Sequence, residues 1–177
     1  MLHKQQLKIA HRFLLRGVSP LIVETGRRFG KTTLVREIAG SLAYPNKATI
    51  ITFNSIVTKW MRDDVNSWDN IEVLNGFAME ESNQISDIVL YDDMANTHHK
   101  HLEWYEEKFR PINPKILHIY TPSKDNHYYK VLKKKLSEKN ILRFQTLDNP
   151  FASKEYYEKG LDNLDEDDFK RQFLGRE

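Results

Sequence analysis

Five short apolar runs, separated by stretches of helical periodicity, restrict the folds open to this sequence. They are LIVET (Leu21–Thr25), ATIITF (Ala48–Phe53), SDIVLYDD (Ser86–Asp93), KILHIYT (Lys115–Thr121) and NILRFQTL (Asn140–Leu147). ATIITF is β-branched and unbroken, the pattern of a parallel strand covered on both faces. Between the runs the spacing changes. Leu7, Ile9, Ala10, Phe13 and Leu14 form one stripe within residues 4–16, and Leu34, Val35, Ile38, Ala39 and Leu42 form another. Residues 55 to 68, 98–109 and 126–137 also read as helices. This rhythm predicts an α/β fold with a mainly parallel β-sheet flanked by helices, right-handed crossovers, and function at the carboxyl ends of the strands.

The chain has 177 residues, the size of one domain, and its 40% hydrophobic and 29% charged residues exclude a low-complexity or collagen-like chain. No window approaches the roughly 20 apolar residues of a membrane helix. The start, MLHKQQLK, lacks the apolar run of a signal peptide, so a soluble, unexported chain without a membrane partner is expected. The absence of cysteine removes disulfides, thiolate metal sites and cysteine nucleophiles. One candidate boundary lies at DNPF (Asp148–Phe151), dividing a core at residues 1–147 from a small acidic helical segment at residues 148–177.

The net charge of +2 conceals segregation: residues 1–60 hold 10 basic and 2 acidic side chains, and residues 61–107 hold 2 basic and 12 acidic. Residues 108–147 return to 10 basic and 2 acidic. Basic blocks of this kind fit either a polyanion-binding face or ordinary solvated surface.

TGRRFGKTT (Thr25–Thr33) lies between an expected strand and an expected helix, the context that a phosphate-binding loop requires. The pattern G-x-x-x-x-G-K-[ST] is met at Gly30, Lys31 and Thr32, while Thr25 occupies the first glycine position and Gly26 follows it. Successive N–H groups and the start of a helix make an anion site. Lys31 is placed for the β- and γ-phosphates and Thr32 for Mg²⁺. Gly26, Arg28, Gly30, Lys31, Thr32 and Thr33 are the candidate contacts to ATP, and Arg27 is the candidate that neutralises transition-state charge. The second half of such a site is a strand ending in carboxylates. IVLY followed by Asp92 and Asp93 supplies it, with Asp92 serving the metal and Asp93 the attacking water. His98, His99 and His101 read as a solvated helix start rather than a metal site, and LKKKL (Leu132–Leu136) as a basic helix face.

With both motifs placed, the sequence resembles the ATPase domain of the large terminase subunit, the DNA-packaging motor of tailed phages and herpesvirus-type viruses. GRRFGKT is similar to that family's arginine-bearing phosphate loop, IVLYDDMA to its acidic strand, and ILHIYTPSKDNHYYKVL to its coupling motif. Residues 148–177 resemble the lid or linker before its nuclease domain, and are too few for a nuclease fold. The resemblance implies a P-loop NTPase that hydrolyses ATP with Mg²⁺. It implies Gln6, with Gln5 as second choice, against adenine, Arg27 as the loop arginine and Thr121 as the coupling residue. Its implied partners are double-stranded DNA, the capsid portal, further copies in a homo-oligomeric ring, and a small terminase subunit or separate nuclease. The implied place of action is the host-cell cytoplasm at the procapsid portal. Asp93 departs from the family's glutamate, leaving two alternatives: a nucleotide-binding regulatory or assembly module with little hydrolysis, and another P-loop enzyme, helicase-like or a nucleoside kinase. Lys133, Lys134 and Lys135 are the leading DNA-phosphate candidates by charge.

Overall fold

In a computed structural model, residues 2–42, 45–92, 99–124 and 127–176 are described. Six strands, β1 (Leu21–Thr25), β2 (Ala48–Thr52), β3 (Ile71–Asn75), β4 (Ile88–Asp92), β5 (Lys115–Tyr120) and β6 (Ile141–Phe144), form one sheet in the order β3-β2-β4-β5-β1-β6. Every pairing is parallel. The helices are α1 (Lys4–Ala10), α2 (Lys31–Gly40), α3 (Ser55–Val65), α4 (His99–Phe109), α5 (His127–Lys134), α6 (Lys154–Asn163) and α7 (Glu166–Leu174). α1 continues into a π-helical turn at His11–Leu15.

Alternation along the strands divides the core between the two faces of the sheet. Leu21 and Val23, Ile50, Leu90, and Leu117 and Ile119 pack with Ile9, Phe13, Leu34, Ile38 and Met61 from the first three helices. Ile22, Ile51, Val89, Tyr91 and Tyr120 pack with Leu102, Tyr105 and Phe109 of α4 and Tyr129 of α5. Both faces are covered, and the runs therefore read as continuous. No helix among the described residues is long and apolar enough to cross a membrane.

β3 is the one strand that the apolar runs do not reveal. It sits at the sheet edge, only Val73 and Leu74 are buried, and Glu72 is half-buried, where it accepts hydrogen bonds from Ser82 and Asn83. An edge strand covered this incompletely carries too few apolar residues to stand out. The helix expected to reach residue 68 ends at Val65 because Trp68 folds back, its ring filling the space where a Cβ on Gly40 would stand. The last strand stops at Phe144, where Gln145 N–H donates to Asp148 Oδ2 at 2.8 Å and opens a short 3-10 turn.

His118 of β5 is 2% exposed, stacks on Tyr91 with centroids 4.5 Å apart, and holds Nδ1 3.2 Å from the Tyr129 hydroxyl. Burial pushes its imidazole down from 6.5 to about 3. The unfolded chain therefore takes up a proton below pH 6.5 that the folded chain refuses, and stability is lost as pH falls through that window. Between pH 6.5 and 5, where ordinary carboxylates remain ionised, this one group contributes a slope approaching ~1.4 kcal/mol per pH unit. Urea denaturation of a His118→Gln variant should show that slope removed, whatever the change in its stability at neutral pH.

Candidate nucleotide-binding site

The loop at residues 26–30 joins the carboxyl end of β1 to the amino end of α2, so the partial positive charge of a ten-residue helix faces the loop. Gly30 makes the turn at φ 88°, a left-handed conformation that side chains strain to adopt. A Cβ there would also stand 2.7 Å from Gln6 Nε2. Gln6, 3% exposed, is spent on holding this turn: Nε2 donates to the Gly30 carbonyl at 2.9 Å, and Oε1 accepts from His3 N–H at 3.0 Å. Gln5 is half-buried beside it.

Two side-chain bonds bring distant strand ends to the loop. Lys31 Nζ donates to Thr121 Oγ1 at 2.8 Å, across 90 residues of chain. Thr32 Oγ1 donates to Asp92 Oδ2 at 2.7 Å, across 60 residues. Asp92 ends β4 at 2% exposure, and Thr121 follows β5 at 8%. A cation, a helix N-terminus and a hydroxyl–carboxylate pair thus converge on one point, which suits an anion and a hard divalent cation together. The hard oxygens of Thr32 and Asp92 fit Mg²⁺, which is commonly held by one or two protein groups plus phosphates. Among the described residues no cluster of three or more His, Asp or Glu side chains forms a metal site by itself. Of the histidine group, His101 of α4 stands against Phe53 and Phe77, and His98 lies outside the described residues. Asp93, the expected water-activating carboxylate, also lies outside them. Thr33 is exposed at the first turn of α2, lining with Thr32, Val57 and Trp60 a cavity of about 340 Å³.

The segment at residues 148–177 returns to this loop. Ser153 caps α6, accepting from Tyr156 N–H, and Asp165 caps α7, accepting from Asp168 N–H at 2.7 Å. Three acids in the first turn of α7 account for much of the tail's negative charge, where they favour the helix dipole. Tyr157, Phe169 and Phe173 pack the two helices, with the Phe173 ring against Gly160. The loop backbone is then held by the hairpin and by the turn that leads into it: Arg27 N–H donates to the Gln172 carbonyl of α7 at 2.6 Å, while from the preceding turn Thr146 Oγ1 donates to the Arg27 carbonyl at 2.9 Å and Asn149 Nδ2 to the Arg28 carbonyl at 2.7 Å. Arg27 and Arg28 both expose their side chains, but the Arg28 guanidinium lies 5.4 Å from the centroid of Tyr156 on α6.

Beneath the loop lies a charge cluster that no motif announces. Glu24, 1% exposed, accepts from the Tyr120 hydroxyl at 2.9 Å, from Lys133 Nζ, and from Arg143 Nε at 2.9 Å. Tyr120 and Arg143 are its direct neighbours in register on β5 and β6. This corrects the expectation for Lys133: its side chain is only 13% exposed and faces Glu24, so it offers no charge to an external phosphate. Lys134 and Lys135 are exposed. A lone acid in the apolar run LIVET was the available signal for the cluster. Thr146, Asn149 and Gln172, which act on backbone atoms, carry no such signal.

Gly26 has no room for a side chain: a Cβ would meet the Phe173 carbonyl oxygen at 2.3 Å and Thr146 Oγ1 at 2.4 Å. Gly26→Ala should therefore cost about 1–3 kcal/mol, as overpacking does, and release the α6–α7 hairpin. Limited proteolysis should show faster cleavage between residues 149 and 165 than in the parent chain.

No family model and no curated protein matches the sequence. Solved structures do match. A large terminase from a thermophilic bacteriophage, in complex with ADP, aligns at a TM-score of 0.72 and 15% identity over 99% of this chain and 53% of that one. The same terminase in complex with ATP-gamma-S aligns at 0.70 and 16% identity, over 99% and 52%. The ATPase domain of the Thermus phage P74-26 large terminase aligns at 0.67 and 14% identity, over 99% and 94%. This chain spans about half the length of the full terminase and nearly all of the separate ATPase domain. The fold is that of large terminase ATPase domains, an α/β P-loop fold.

Proposed function

We propose that this chain is the ATP-hydrolysing unit of a DNA-packaging motor of the large-terminase kind, coupling ATP turnover to translocation of double-stranded DNA into a capsid. The observation that carries the reading is the convergence of Lys31, Thr32, Asp92 and Thr121, from three strand ends, on one phosphate loop. The likeness of the whole chain to about half of a large terminase in complex with ADP, and to a separate large terminase ATPase domain, supports it.

In this reading the loop N–H groups and Lys31 bind the β- and γ-phosphates of ATP. Thr32 and Asp92 hold Mg²⁺, which when bound neutralises charge on the phosphate oxygens. A water attacks the γ-phosphorus, the bond to the bridging oxygen breaks, and ADP and phosphate leave. Asp93 orients that water and receives its proton. Arg27 supplies charge to the transition state, the role favoured over Arg28 because Arg28 is engaged with Tyr156. Arg28 and Thr33 flank the bound phosphates. Gln6, already holding the loop, faces adenine by exchanging one of its present bonds. Lys31 leaves Thr121 when it takes up phosphate, and the released hydroxyl makes the turn into α5 responsive to the nucleotide. Residues 148–177 act as the lid, and residues 1–147 as the core. The partners belonging to this function are the capsid portal, other copies in a ring, and a small subunit or separate nuclease, in the host cytoplasm at the procapsid.

Steady-state ATPase assays with and without duplex DNA and portal test the reading. Lys31→Ala should lower nucleotide affinity and turnover together. Asp93→Asn should keep binding and lose turnover, and Arg27→Ala should lower the rate by about 10³-fold with little change in affinity. Nucleotide binding without turnover under every condition would instead favour the regulatory module, the reading that the shorter Asp93 supports.

A further inference from the structure

Along the open edge of β6 runs a groove of about 750 Å³, lined by Lys4, Leu7, Lys8, His11, Arg12 and Arg16 on one side and Leu142, Arg143 and Phe144 on the other. Lys4, Lys8, Arg12 and Arg16 supply four cations, the lining holds no carboxylate, and the fifth cation, Arg143, is paired with Glu24 and Glu138. We propose that this groove is the surface on which the phosphate backbone of duplex DNA lies.

The spacing of the cations is the first argument. Lys4, Lys8, Arg12 and Arg16 recur every fourth residue. In an α-helix, four residues overshoot a full turn by about 40°, so such a row drifts around the helix. α1 gives way at His11 to a π-helical turn, whose wider winding leaves four residues short of a full turn. The two deviations offset one another, and all four cations open into the same groove. Their row spans roughly 18 Å of helix axis, the length of about five nucleotides of one strand. Arg12 is fixed in place by donating to the Lys139 carbonyl, with Nε at 2.9 Å.

The second argument concerns which nucleic acid fits. Grooves for single strands present open aromatic faces on which bases stack. Here the only large aromatic ring, Phe144, is stacked on Phe29 at 5.3 Å and half-buried. What remains is a line of charge over a short apolar floor, which contacts backbone and reads no bases. Position supplies the third argument. The Phe144 carbonyl accepts from Gly26 N–H at 2.9 Å, so the groove wall and the phosphate loop share a bond. The assignment deepens the motor reading, whose DNA partner it places on this edge.

Binding of a fluorescently labelled, mixed-sequence duplex to the full chain, titrated across salt concentration, tests it. A combined Lys4→Gln, Lys8→Gln, Arg16→Gln variant leaves the anchored Arg12 intact. It should lower the log–log salt slope by about 2.7, at roughly 0.9 per lost phosphate contact. A charge-matched control, Lys59→Gln, Lys115→Gln, Lys154→Gln, drawn from other exposed surfaces, should leave the slope unchanged. An equal fall in both variants, or no fall in the first, overturns the proposal. So does tighter binding of a single strand than of the duplex, or a variant that changes only the chain's self-association in sedimentation, which would mark the groove as a protein interface. Nucleotide binding by the same variant should persist, and its persistence beside a lost slope keeps this outcome separate from that of the ATPase assays.

Discussion

β1 and β4 are not neighbours: β5 lies between them. The hydrogen bond from Thr32 to Asp92 therefore reaches over a strand, and it can form only because every strand is parallel and every carboxyl end lies on the same edge. Lys31 uses the intervening strand, bonding Thr121 just past the end of β5. An antiparallel β5 would have presented its amino end here and left Lys31 without that partner. The parallel sheet, itself a consequence of burying both faces under helices, is thus what the site's geometry rests on.

The loop at residues 26–30 is held from three directions by different chemistry. Gln6 holds the Gly30 end through its side-chain amide. The Arg27 and Arg28 end is held by the Gln172 carbonyl of α7 and by the side chains of Thr146 and Asn149 just before α6, with Gly26 leaving the space for that approach. Glu24 holds β1 from below. A carboxylate buried to 1% exposure is costly unless paired, and Glu24 meets a lysine, an arginine and a tyrosine hydroxyl at once. Positional constraint, more than net stability, is what such a cluster supplies at this point.

Much of this was legible from the chain because burial on both faces writes itself as unbroken β-branched sequence, and because a phosphate loop demands glycine, lysine and a hydroxyl at fixed offsets. Leu21–Thr25, Ile88–Asp92 and Gly30–Thr32 fall where those rules place them. β3 escaped for the complementary reason, since this edge strand buries only Val73 and Leu74 fully and includes Glu72 and Asn75 among its half-buried residues. Lys133 was misjudged because charge alone does not say which way a side chain points, and its partner lies 109 residues away. The contacts of Thr146 and Gln172 to the loop escaped because they act through atoms for which composition leaves no trace. The π-turn at His11–Leu15 belongs to the same class: the alignment of Lys4, Lys8, Arg12 and Arg16 depends on a helical defect that no spacing of residue types reveals.

Arg143 belongs to two of these features at once. Its guanidinium pairs with Glu24, the residue before Thr25, while its side chain also lines the groove beside α1. Lys133 pairs with the same carboxylate from α5, the helix that follows Thr121. A change at the Lys31–Thr121 bond that shifted α5 would therefore reach the groove wall through Lys133 and Glu24. Coupling of this kind requires an element with two arrangements. Here the candidate is Lys31 itself, whose ammonium can satisfy either Thr121 or a phosphate. In the proposed function Lys31 exchanges a bond to a neutral hydroxyl for one to an anion, so occupancy of the phosphate position would decide between the two states.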